Sequence, residues 1–85
     1  MIVQFSETSI KSLINMDKSN AKRIKERINK FIESPESCNF KKLKGYSGRY
    51  RISQGDYRII CEFKETSVKI LYILDVRHRK EAYKE

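Results

Sequence analysis

The sequence predicts an α+β fold: an N-terminal strand, a helical hairpin and then three antiparallel strands, with the helices packed on one face of a four-stranded sheet. Three observations carry this expectation. Apolar residues recur at helical spacing between residues 7 and 33, β-rich runs follow from residue 49, and the separators between those runs are two residues long. A chain of 85 residues buries too little surface for two cores, so residues 1–85 read as one small domain.

Ile2 to Phe5 reads as the first strand, followed by Ser6 as a helix N-cap with Glu7 beside the positive end of the helix dipole. Ile10, Leu13, Ile14 and Met16 then form an apolar stripe. Asp17-Lys18-Ser19-Asn20 interrupts it, and Ser19 or Asn20 is expected to cap a second helix. That helix carries Ala21, Ile24, Ile28, Phe31 and Ile32 on one face and Lys22, Arg23, Lys25, Arg27 and Lys30 mostly on the other. Pro35 ends it, because the residue before a proline is pushed out of the helical region.

Residues 36–48 are polar and read as an irregular link that holds Lys41, Lys42 and Lys44 around Leu43. Strands are expected over Arg49 to Ser53, Asp56 to Lys64 and Ser67 to Val76, joined by Gln54-Gly55 and Glu65-Thr66 as two-residue loops. The charged tail, Arg77 to Glu85, fits a turn or two of helix.

Closing the first loop sets Arg51 opposite Arg58 and Ile52 opposite Tyr57; closing the second sets Cys61 opposite Ile70 and Glu62 opposite Lys69. The face expected under the helices then holds Tyr50, Ile52, Tyr57, Ile59, Cys61, Phe63, Val68, Ile70, Tyr72, Leu74 and Val76. The open face holds Arg51 and Arg58, with Arg77 emerging at the end of the last strand. Like charges side by side on a sheet oppose stability, so this cluster asks for an anion. The residues just beyond, His78, Arg79 and Tyr83, are of types suited to phosphate binding and proton transfer.

Lys and Arg outnumber Asp and Glu by 19 to 11, for a formal charge of +8, which favours nucleic acid, an anionic membrane or an acidic protein as partner. No apolar run is long enough to span a membrane, and the N-terminus lacks the pattern of a secretory signal, so a cytoplasmic location is expected. Two cysteines, Cys38 and Cys61, and one histidine make no zinc or disulfide framework, and no cofactor motif is present.

In order along the chain, Lys42-Leu43-Lys44-Gly45, Tyr50-Arg51-Ile52, Gly55-Asp56-Tyr57-Arg58-Ile59-Ile60 and Arg77-His78-Arg79-Lys80-Glu81-Ala82-Tyr83 resemble the RelE/ParE toxin superfamily over nearly the whole sequence. The resemblance to RelE-like members implies a toxin held by an antitoxin, which enters the ribosomal A site and cuts messenger RNA there without a metal, by attack of a 2′-hydroxyl on the adjacent phosphate. It further implies that Arg58, Arg77 and Arg79 contact phosphate, that Tyr83 stacks on a base or assists proton transfer, and that Lys42, Lys44 and Ser53 lie along the RNA.

Arg51 and Ser53 stand where the best-known members carry lysines, the first of them often assigned as general base. Arginine hardly deprotonates, so His78 is the expected substitute as proton shuttle beside Arg51, Arg58, Arg77 and Tyr83. Two other readings compete. A ParE-like toxin shares the fold and inhibits DNA gyrase without nuclease activity, and a non-catalytic nucleic-acid module would act as a repressor but lacks a groove-reading helix motif.

Overall fold

The computed structural model describes residues 1–82. The chain forms β1 (Ile2–Phe5), α1 (Glu7–Asn15), α2 (Lys18–Glu33), a 3₁₀ turn (Pro35–Ser37), β2 (Phe40–Lys42), β3 (Arg49–Gln54), β4 (Tyr57–Glu65), β5 (Lys69–His78) and a short α3 (Arg79–Ala82). The strands make one five-stranded sheet in the order β1-β5-β4-β3-β2, with β1 parallel to β5 and every other pair antiparallel. The α+β class is as expected, with one strand more than the expected four. The extra strand is β2, inside the segment read as an irregular link. Phe40 anchors it, opposite Ile52 and against the rings of Phe31 and Tyr50 at 5.4 and 5.7 Å.

Ser6 caps α1 as expected, accepting from the Ser9 N–H. The buried side of α1 is Ser9, with Leu13 and Met16 packed on the core, whereas Ile10 and Ile14 are exposed, Ile14 by 74%. The true stripe is therefore shifted by one residue from the apolar count, with a serine at the closest approach. α2 is capped by Asp17 and not by Ser19 or Asn20: its carboxylate accepts from the Asn20 N–H, which holds the Asp17 carboxyl below its usual range. Ile24, Ile28 and Phe31 of α2 close over Ile52, Ile59, Cys61, Leu71, Ile73 and Val76 to form the core. Burial pushes the Cys61 thiol up to about 12, which makes it a packing group and not a nucleophile.

Both hairpin registers differ from expectation. The β3–β4 loop is Gly55-Asp56, because the left-handed backbone of Gly55, φ +56°, suits the first loop position of a II′ turn. Arg51 therefore faces Ile60, and Arg58 faces Ser53. The β4–β5 loop has three residues, Thr66 to Val68, so Glu65 pairs with Lys69 and Cys61 with Ile73. A shift by an odd number turns the strand over. Leu71 and Ile73 enter the core in place of Ile70 and Tyr72, and Val68 is exposed. Glu62 lies opposite Arg49 and Tyr72, not Lys69. Ile70 to Leu74 are apolar without a break, so alternation could not choose between the faces.

A β-bulge then restores the phase. Cys61 pairs with Ile73 but Ile60 with Asp75, leaving Leu74 as the extra residue, after which Val76 points to the core and Arg77 to the open face.

Gly48, φ +75°, lies so close to β4 that a Cβ there would stand 2.5 Å from the Phe63 carbonyl oxygen. Gly48→Ala is expected to destabilise the chain by about 2–4 kcal/mol. Gly55→Asn, in open space, is expected to cost less than about 1 kcal/mol. Urea unfolding of the two variants checks this, and equal losses would contradict the close approach at Gly48.

Candidate functional site

On the open face the pairing gathers arginines from three strands. Arg49 and Arg51 come from β3, Arg58 from β4 and Arg77 from β5, with Arg58 directly opposite Arg77 and diagonal to Arg51. Arg51 and Arg58 thus share the expected face, while the directly opposed like-charged pair is Arg58 with Arg77. The Arg58 guanidinium is held by the turn beside it, donating to the carbonyls of Gly55 at 3.0 Å and Tyr57 at 2.9 Å. Arg77 donates through Nε to Asp75, whose other oxygen accepts from the Val76 N–H at 2.8 Å.

Arg49, Arg51 and Arg77 line one cleft of about 350 Å³, with Asp75 in its wall and Tyr46 and Leu43 from the β2–β3 connection also lining it. Such a surface, rich in cations and backed by a sheet, fits a phosphate ester.

The other expected residues are placed less uniformly. Ser53 is on the open face opposite Arg58. Arg79 docks on the β3–β4 turn, its N–H donating to the Asp56 carbonyl at 2.6 Å and its Nε lying 3.5 Å from the Asp56 carboxylate. Lys42 pairs with Tyr50 and so takes the helix side of the sheet; Lys41, opposite Arg51, is the lysine that shares the arginine face. Lys44 is exposed in the β2–β3 connection. Tyr83 lies outside the described residues.

His78 is not brought to the arginines. It pairs with Tyr57, meets that ring edge-on at 5.6 Å, and opens on a hollow lined by Ser12, Met16 and Val76 on the helix side. Its Nδ1 faces the Lys80 N–H at 3.3 Å. Three residues of the cleft escaped sequence reasoning: Arg49, Tyr46 and Asp75. Arg49 was legible, since it shares the alternation of Arg51. Asp75 was legible too, since it shares the alternation of Arg77.

A model of the ParE toxin of type II toxin–antitoxin systems matches residues 3–83, and the chain belongs to this RelE/ParE-like toxin family. Toxin RelE3 of Methanocaldococcus jannaschii is 34% identical, covering 98% of this chain and 96% of its own length. Among solved structures, the RelB–RelE antitoxin–toxin complex from Methanococcus jannaschii holds a chain that is 32% identical with a TM-score of 0.73, covering 94% of each chain. The archaeal RelE–RelB complex from Pyrococcus horikoshii gives 26% identity and a TM-score of 0.74, covering 92% of this chain and 93% of the other. The protein is thus a toxin of a toxin–antitoxin system. No helix among the described residues is long and apolar enough to cross a membrane.

The balance of charge in the cleft predicts opposite effects for two variants. Arg51→Ala is expected to weaken binding of tripolyphosphate, and Asp75→Asn to strengthen it, with both differences shrinking as salt rises. Calorimetric titration at two salt concentrations checks the signs; tighter binding by Arg51→Ala would contradict this electrostatic reading of the cleft.

Proposed function

We infer that this toxin is an endoribonuclease that cuts messenger RNA on the ribosome. The observation that carries the reading is the gathering of Arg51, Arg58 and Arg77 on one open sheet face, an arrangement unfavourable by itself and suited to the negative charge that builds on a phosphate under attack. In the reaction the 2′-hydroxyl oxygen bonds to the adjacent phosphorus as the bond to the 5′-oxygen breaks, leaving a 2′,3′-cyclic phosphate and a 5′-hydroxyl. Arg58 and Arg77 neutralise the non-bridging oxygens, and Arg51 holds the flanking backbone. Arg79, Lys44 and Ser53 extend the RNA path.

The proton acceptor on this face is the Asp75 carboxylate, which takes the place expected for His78, and Tyr83 keeps the role that the resemblance implies, stacking on a base or assisting proton transfer. His78 is left to hold the end of β5 against Tyr57. A cognate antitoxin is the partner that keeps the toxin inactive, as the RelB-containing relatives support. The apolar groove between Phe31, Ile32, Pro35 and Phe40, beside the basic face of α2, suits an amphipathic acidic segment.

The family model that matches is that of ParE toxins, and this favours a second reading, inhibition of DNA gyrase. Incubating the chain with gyrase and, separately, with translating ribosomes separates the two. Primer extension is expected to find cuts inside translated frames, with Arg58→Ala lowering the rate on the order of 10²-fold and Arg77→Ala somewhat less. Asp75→Asn is expected to lower the rate and change its pH profile, with His78→Gln near wild type; the reverse order would return the proton chemistry to His78. Intact messages with poisoned gyrase would establish the second reading instead.

A further inference from the structure

Tyr46 is the feature of the cleft that the phosphate chemistry leaves unused. It stands in the connection between β2 and β3, and the residue is 53% exposed although it is large and partly apolar. The Arg49 guanidinium lies over that ring at 4.2 Å from its centroid. Arg49 in turn lies beside Glu62, with Nε 3.8 Å from Oε2, beyond hydrogen-bond reach, so ring and carboxylate together set the position of the cation. The connection is pinned at its end: the Leu43 N–H donates to the Arg49 carbonyl at 2.9 Å and the Phe63 N–H to the Gly48 carbonyl at 2.7 Å.

We propose that the Tyr46–Arg49 stack is a nucleobase platform that receives one base of a single-stranded RNA while Arg51 and Arg77 hold the neighbouring phosphates. One ring face is occupied by a cation and the residue remains half exposed, so a flat aromatic ligand can extend the stack and not merely cover an apolar patch. Both members line the same cleft as Arg51 and Arg77, so base and phosphate sites are contiguous. Stacking is tolerant of base identity, because every base has a π face, and the platform therefore adds affinity and register before it adds sequence preference. A tyrosine that served only to shield the arginine stem would be replaceable by any apolar residue of similar size, and this alternative is part of the test.

The proposal rests on the nucleic-acid reading of the cleft, and the experiment has two arms that fail separately. The chain has no tryptophan, so Tyr46→Trp introduces one indole whose emission reports on this position alone. Titration with a 2′-O-methylated single-stranded hexanucleotide, which cannot be cut, is expected to quench that emission, and an abasic oligonucleotide of equal length is expected to bind without quenching. In the second arm, cleavage on programmed ribosomes is expected to fall about tenfold for Tyr46→Ala and for Tyr46→Leu on an intact codon, and to stay within about twofold for Tyr46→Phe. Tyr46→Ala is expected to add no further loss when the base at one codon position is absent.

Oligonucleotide binding without base-dependent quenching overturns the platform and leaves the phosphate site standing. Equal losses on intact and abasic codons, or full rescue by Tyr46→Leu, likewise overturn it. Base-dependent quenching with no cleavage by the parent chain keeps the platform and removes the nuclease reading.

Discussion

The arrangement of the functional face turns on the bulge at Leu74. Without the extra residue between Ile73 and Asp75, a strand that buries Ile73 would also bury Asp75 and Arg77, and the arginine face would lose its third strand. The bulge is stabilised by groups already required elsewhere. The Ser6 hydroxyl donates to the Leu74 carbonyl at 2.6 Å while accepting from the Ser9 N–H at 3.0 Å, so one side chain satisfies the irregular strand and caps α1. The Ser6 N–H donates to the Ile73 carbonyl at 2.9 Å, and the Asp75 carboxylate accepts from the Val76 N–H. The helix start, the bulge and the orientation of Arg77 are therefore one structural decision.

That decision also separates neighbours along β5. Arg77 and His78 are adjacent in sequence and on opposite sides of the sheet, so proximity along the chain does not place them together. Asp75 and Arg77, two apart, share a face and an ion pair. The carboxylate tempers a cluster that would otherwise hold four arginines and Lys41 with Glu62 as counter-charge from the paired strands.

Much of this was legible in the sequence. The α+β class, the Ser6 cap, the stop before Pro35, and the shared face of Arg51 and Arg58 follow from local rules of capping, proline geometry and alternation. What was not legible depended on tertiary contact. β2 forms because Phe40 finds Phe31 and Tyr50, contacts with the flanking elements that a window over polar residues cannot reveal. The phase of α1 follows from how closely Ser9 approaches β5, and the phase of β5 from a bulge inside an unbroken apolar run. Tyr46 passed as a loop residue because its meaning lies in the Arg49 side chain stacked on it.

The central claim, that the arginine face holds a phosphate while a neighbouring 2′-hydroxyl attacks it, predicts the chemistry of the ends it leaves. Mass spectrometry of message fragments released from programmed ribosomes reads those ends directly. A 2′,3′-cyclic phosphate on the upstream fragment with a 5′-hydroxyl on the downstream one is the expected result, and a 3′-hydroxyl with a 5′-phosphate would contradict it.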